Sequence, residues 1–135
     1  LDSETGNGSY SNAGACSPIY ISGSGREAKE LTLAGAALGA FKKAGFSGLN
    51  LEFAEGDALV FHTDGIIEAR NKFGQELGYS QFAQLARKCW DPDPEKIYQG
   101  LYQAYLRHIG GQAPEDDLTM VVVVFKGARR EIKIA

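Results

Sequence analysis

Ala58-Leu59-Val60-Phe61-His62-Thr63 is an apolar run that stops on Asp64-Gly65, a carboxylate followed by a turn residue. A second run, Leu118-Thr119-Met120-Val121-Val122-Val123-Val124-Phe125, is entered through the acidic pair Asp116-Asp117. Both runs have the length and β-branched content of buried strands. If they pair antiparallel, the end of the first lies beside the start of the second, and Asp64 and Asp116 share one edge of a sheet. Two close carboxylates repel unless one is protonated or a cation lies between them. Mg²⁺ or Mn²⁺ suits such oxygen donors and keeps waters, one of which can act as a nucleophile. On patterning alone, Asp-Gly after a strand also reads as an ordinary turn and the acidic pair as a solvated loop.

Working outward, Leu49, Leu51 and Phe53 alternate with polar residues as in a half-buried strand, and Glu55-Gly56-Asp57 turns the chain into 58–63. The expectation is a hairpin with a buried second arm. Residues 1–33 read as β structure, with strands at 9–12, 18–22 and 28–33 and turns at 13–16 and 23–25. The small-residue segment 34–40 reads as a close-packed crossing loop. Downstream, Ser80 is placed to cap a helix whose Phe82, Leu85, Ala86 and Cys89 share a face. Asp93-Pro94 has the form of an N-cap and first residue of another helix, which turns Ile97, Leu101 and Tyr105 inward and ends at Gly110-Gly111. The run 118–125 is expected at the sheet's centre, and the charged tail 129–134 as an edge strand. Strands, two helices and then one or two strands describe an α+β layered fold.

Composition narrows the function. The 135 residues are 44% hydrophobic and 23% charged, which fits one globular domain with a real core. Fourteen basic against 17 acidic residues give a net charge of −3, so no general basic field attracts nucleic acid or anionic lipid. Cys16 and Cys89 are far apart and have no Cys or His at ligand spacing, which argues against a disulfide framework or a zinc site. His62 and His108 lack the context of a hydrolase triad, and Gly23-Ser24-Gly25 lacks the ending of a nucleotide-binding loop. No stretch has the length of a membrane span and nothing resembles a signal peptide, so the cytoplasm is the expected compartment. The chain opens on Leu1 without a methionine, and the expectation is a piece of a longer polypeptide whose upstream part could tether it to a membrane.

The stretch Gly56-Asp57-Ala58-Leu59-Val60-Phe61-His62-Thr63-Asp64-Gly65-Ile66-Ile67-Glu68-Ala69-Arg70-Asn71, with Phe73-Gly74-Gln75-Glu76-Leu77-Gly78 after it, resembles the SpoIIE-type branch of the metal-dependent (type 2C) serine/threonine protein phosphatases. Tyr10-Ser11-Asn12-Ala13-Gly14, Gly35-Ala36-Ala37-Leu38-Gly39 and Asp116-Asp117-Leu118-Thr119 fall in the order that this resemblance requires, so it covers the chain to about residue 125. The resemblance implies part of an α-β-β-α sandwich holding two Mn²⁺ or Mg²⁺ ions, where a metal-activated water attacks phosphoserine or phosphothreonine. It assigns Asp64 and Asp116 as metal ligands and catalytic residues, with Gly65 and Asp117 supporting them and Asp117 able to exchange roles with Asp116. It also implies a bacterial signalling phosphoprotein as substrate, such as an anti-sigma-factor antagonist, and an N-terminal sensor region.

Two departures shape the expectation. The family's Gly-Asp-Val-Ser-Gly-like segment, which supplies a metal-binding Asp, does not occur here, so the N-terminal half of the domain is missing. Ala15 stands where the family usually has His. The expected activity of the isolated chain is therefore weak or nil, its unpaired edges favour self-association, and a non-catalytic interaction module on a phosphatase scaffold is the alternative.

Overall fold

The run that follows Asp57 forms a strand with a partner on each side, and the rest of the fold is arranged about it. The computed structural model describes residues 1–127. Along them lie β1 (Asn7–Tyr10), β2 (Ile19–Ile21), β3 (Ala28–Glu30), β4 (Leu49–Glu52), β5 (Ala58–His62), α1 (Asp64–Ile67), α2 (Gly78–Lys88), α3 (Pro94–Ile109) and β6 (Met120–Val124). The class is α+β, with one four-stranded antiparallel sheet in the order β3-β2-β5-β6 and a separate pair, β1-β4.

The period of two along β5 sends Ala58, Val60 and His62 to one face, where Ile21 and Ile19 of β2 stand opposite Ala58 and Val60. Helices α2 and α3 cover that face with Phe82, Ala86, Ile97 and Leu101, and the resulting core is almost wholly withdrawn from water. Burying each large side chain of this kind contributes about 1.5–3 kcal/mol. The opposite face carries the cross-strand pairs Leu59–Val123 and Phe61–Val121. There Phe61, Val121 and Val123 remain 38%, 52% and 40% exposed.

Helix α3 follows its sequence signals. Asp93 accepts a hydrogen bond from the Glu95 N–H at 3.0 Å, Pro94 opens the helix, and Gly110 closes it at φ 61° with its N–H bonded to Leu106 O. Helix α2 begins earlier than expected. Its N-cap position is Leu77, which makes no side-chain cap, and Ser80 lies within the first turn. Of the face expected to point inward, Phe82 and Ala86 are buried, while Leu85 and Cys89 pack against the core only partly buried. Among the described residues the single turn α1 raises the helices from the expected two to three; four residues are too few for a periodic signal.

Two pairings differ from the expectation. β4 and β5 do not form a hairpin: β4 pairs with β1, Asn7 opposite Glu52, while β5 joins the other sheet. Alternation reports which side of a strand is buried, not which strand lies beside it. β6 likewise stands at the edge of its sheet among the described residues, with one face partly exposed, and β2 and β5 take the interior positions. The expected crossing loop 34–40 is irregular but not close-packed throughout, since Leu38 is 77% exposed. The expected tail strand lies outside the described residues.

At the entry to β5, Asp57 is buried and fully engaged. Its Oδ1 accepts from Gly23 N–H at 2.6 Å, and its Oδ2 accepts from Tyr20 O–H and Ala54 N–H, each at 2.9 Å. One carboxylate thus pins the β2–β3 turn to the β4–β5 turn. Burial, with Asp57 adding to it, pushes the Tyr20 phenol up to about 12. Trp90 closes this end, its ring lying against Gly25 and its indole N–H donating to Gly56 O at 3.2 Å.

Candidate functional site

The opposite end of β5 is where the two acidic motifs meet. β5 and β6 are antiparallel with His62 opposite Met120, so the chain leaving β5 runs beside the chain entering β6. Thr63 joins them. Its N–H donates to Thr119 O at 3.1 Å, its Oγ1 donates to Asp117 O at 3.0 Å, and Thr119 N–H donates back to Thr63 Oγ1 at 3.0 Å. Gly65 is pressed against the same segment. A Cβ there would lie 2.6 Å from Asp117 O, so only a glycine permits this approach.

The carboxylates sit on a fixed base. Ile66 and Ile67 of α1 are buried in the core, which anchors the turn while the Asp64 side chain stays exposed. Asp64 Oδ1 accepts from Gly65 N–H at 3.0 Å. Asp116 repeats the arrangement, its Oδ1 accepting from Asp117 N–H at 2.7 Å. Each carboxylate has one oxygen oriented by the next residue's N–H, and no described residue donates to the other oxygen.

Hard oxygen donors on one sheet edge suit Mg²⁺ or Mn²⁺. Among the described residues no group of three or more His, Cys, Asp or Glu side chains could hold a metal ion. Asp64 and Asp116 offer two such donors, fewer than a complete ligand set.

The remaining motif segments meet at a neighbouring loop. Asn12 is buried, and its side chain makes two bonds to one residue, accepting from Ala15 N–H and donating to Ala15 O, both at 2.9 Å. This ring uses only the backbone of Ala15, so the loop closes whatever side chain stands at 15. A Cβ on Gly14, which has φ 89°, would lie 2.7 Å from Ala37 Cα. Leu38 N–H donates to Ala13 O at 3.3 Å, so the segments 12–15 and 35–38 pack together.

His62 ties this loop to the acidic edge. Its ring nitrogens face Ser17 O and Thr63 O, each at 3.1 Å, between the rings of Tyr79 and Phe82. Burial holds the imidazole below its ordinary pKa against the opposing pull of the two carbonyls. Sequence reasoning assigned nothing to Asn12 or His62. For Asn12 the signal was its spacing from residue 15, since an Asn side chain readily bonds backbone a few residues on.

The comparisons with known proteins agree with this layout. The family model described as stage II sporulation protein E (SpoIIE) matches residues 1–126. The chain belongs to the SpoIIE family. Among solved structures, the RsbU and RsbW domains of Rv1364c from Mycobacterium tuberculosis are similar to it with a TM-score of 0.74 and 28% identity, over 90% of this chain and 33% of that one. The phosphatase domain of the cell fate determinant SpoIIE from Bacillus subtilis shares the fold, with a TM-score of 0.71 and 19% identity over 93% of this chain and 55% of that one. Protein IcfG of Synechocystis sp. is 29% identical over 123 residues, which are 91% of this chain and 19% of IcfG. This SpoIIE-family chain thus spans about a fifth of IcfG and about half of the B. subtilis domain. The fold is that of the PP2C phosphatase domain of B. subtilis SpoIIE, of which the chain covers a part.

Proposed function

We propose that the domain to which this chain contributes hydrolyses phosphoserine or phosphothreonine on a bacterial signalling protein, with Asp64 and Asp116 as ligands for Mn²⁺ or Mg²⁺. The observation that carries the reading is the clamp that holds the Asp64 turn against the Asp116 segment through Thr63 and Gly65. Within it, Gly65 N–H and Asp117 N–H each orient one carboxylate oxygen and leave the other free toward solvent. Bound there, the cations would lower the pKa of a water and stabilise charge on the phosphoryl oxygens during in-line displacement. Gly65 acts through its missing side chain, and Asp117 lends its backbone to the clamp while its carboxylate stays available to exchange roles with that of Asp116.

The ligand set is partial, so the isolated chain is expected to bind metal weakly and turn over little. The test is phosphoserine-peptide hydrolysis with and without Mn²⁺, comparing this chain with one extended upstream to the natural start of the domain. Mn²⁺-dependent turnover by the extended chain alone, lost in Asp64→Asn and Asp116→Asn, is the expected result. Two folded chains that are both inert would instead favour a non-catalytic interaction module, a reading that draws on Ala15. The substrate we propose is a phosphoprotein such as an anti-sigma-factor antagonist, which is what the family resemblance implies. An upstream sensor region and a cytoplasmic setting complete the proposal. Among the described residues, no helix is long and apolar enough to cross a membrane.

A further inference from the structure

The segment that follows α1 is held more firmly than an exposed loop requires. Asn71 Oδ1 accepts from Phe73 N–H at 2.9 Å and Gln75 N–H at 3.1 Å, and Asn71 exchanges a further backbone bond with Gln75. Gly74 makes the turn at φ 75°, and Arg70 and Glu76 close the base as a β-bridge and a 2.9 Å ion pair. His108 of α3 secures it from below, its Nε2 facing Ala69 O at 3.0 Å and Gln75 O at 3.2 Å.

What this small hairpin presents is an aromatic ring to water. Phe73 is 74% exposed, with Lys72 Nζ 5.0 Å from its ring centre. Behind it, Asn71, Lys72, Phe73, Arg107, His108 and Gly110 line a cavity of about 440 Å³. Neither Lys72 nor Arg107 takes part in an ion pair among the described residues. The loop also borders the acidic edge. The Arg70 guanidinium is raised above its ordinary pKa first by its bond to Glu76 and further by the charges of Glu115, next to Asp116, and of Glu68.

An exposed aromatic on a pre-ordered turn, beside one cation of that turn and one of α3 that make no ion pair among the described residues, is the anatomy of a recognition surface for an anionic partner. We propose that the 70–76 hairpin and the adjoining end of α3 form the docking surface for the acidic segment around the phosphorylated residue of the protein substrate, with Phe73 receiving an apolar side chain and Lys72 and Arg107 its carboxylates. This rests on the phosphatase reading above for the nature of the partner. The occupant follows from charge: Lys72 and Arg107 line one cleft with Phe73 and make no ion pair among the described residues, so they complement carboxylates of the peptide.

The test is fluorescence anisotropy of a labelled peptide with one phosphoserine among aspartates, glutamates and a leucine, titrated with the 135-residue chain without metal. Phe73→Ala and the pair Lys72→Glu with Arg107→Glu should each weaken binding about tenfold, the usual scale for a central anchor. Phe73→Tyr should preserve binding, and added salt or a glutamine-substituted peptide should weaken it. No measurable binding, binding indifferent to these variants, or equal binding of a single-stranded RNA overturns the proposal. Hydrolysis of p-nitrophenyl phosphate by the upstream-extended chain with Mn²⁺ is measured alongside. If that activity is present and unaffected by the variants while peptide binding is also unaffected, the docking surface is wrong and the phosphatase reading stands. If that activity is absent while binding falls as stated, the reverse holds.

Discussion

Strand β5 is flanked by two aspartates, Asp57 before it and Asp64 beyond its end, and the two do opposite work. Asp57 is buried with both carboxylate oxygens engaged by donors from three different residues, so nothing is left over for a ligand. Asp64 is exposed, with one oxygen oriented by Gly65 N–H and the other open. In sequence both are an acid next to glycine at a strand boundary. The difference lies in what the fold places around them: at Asp57 two turns converge donors on it, whereas beside Asp64 the Thr63 N–H and hydroxyl are spent on Thr119 O and Asp117 O, and the backbone of the Asp116 segment comes alongside. A structural acid is recognised by saturation, a candidate functional one by what it leaves free.

The largest effect should come from Asp57→Ala, which strands buried donors. A loss of about 3 kcal/mol is expected, since each unsatisfied buried group costs about 1–3 kcal/mol. Urea unfolding reads it directly, and a loss as small as that of a surface substitution would break the comparison. Asp64→Asn should behave inversely, changing stability by no more than about 0.5 kcal/mol. It should lower Mn²⁺ affinity by on the order of tenfold or more, measured by the spin resonance of free Mn²⁺. Equal losses of stability in the two variants would make Asp64 another structural acid.

Gly65→Ala sharpens the same contrast without touching a carboxylate. Its Cβ would meet Asp117 O at 2.6 Å and push the Asp116 segment away. Stability should fall by about 1–2 kcal/mol, within the range for overpacking, and Mn²⁺ affinity should drop with it. Unchanged affinity would mean that the clamp does not set the site. The smallest effect concerns Tyr20. Its phenol is raised from about 10 to about 12, so the folded state holds the proton more tightly than the unfolded one. That contribution is complete below pH 10 and disappears as pH rises toward 12. Tyr20→Phe should show a shallower alkaline loss of stability over this window, and an identical slope would remove Tyr20 from the Asp57 network.

How much of this was legible depended on whether a signal was local. Helix α3 was readable because Asp93, Pro94 and Gly110 each act on their own backbone. That the chain leaving β5 runs beside the chain entering β6 was readable because one assumption, antiparallel pairing of two apolar runs, fixes which ends coincide. Strand order was not: Leu49, Leu51 and Phe53 give a face but no partner, and four consecutive valines in β6 are apolar on both sides whether the strand is central or peripheral. The role of His62 depends on carbonyls at Ser17 and Thr63, whose positions no side-chain pattern encodes.

Trp90 is the chain's one tryptophan, and it reports on only one end of this strand. Its indole leans on Gly25 and bonds Gly56 O, beside Asp57 and a full strand's length from Asp64. The molecule therefore carries its own optical gauge of scaffold integrity. Indole emission should follow Asp57 and the turns it joins, and stay silent when the far edge gains or loses a ligand, so that folding and occupancy can be followed as separate signals in a single sample.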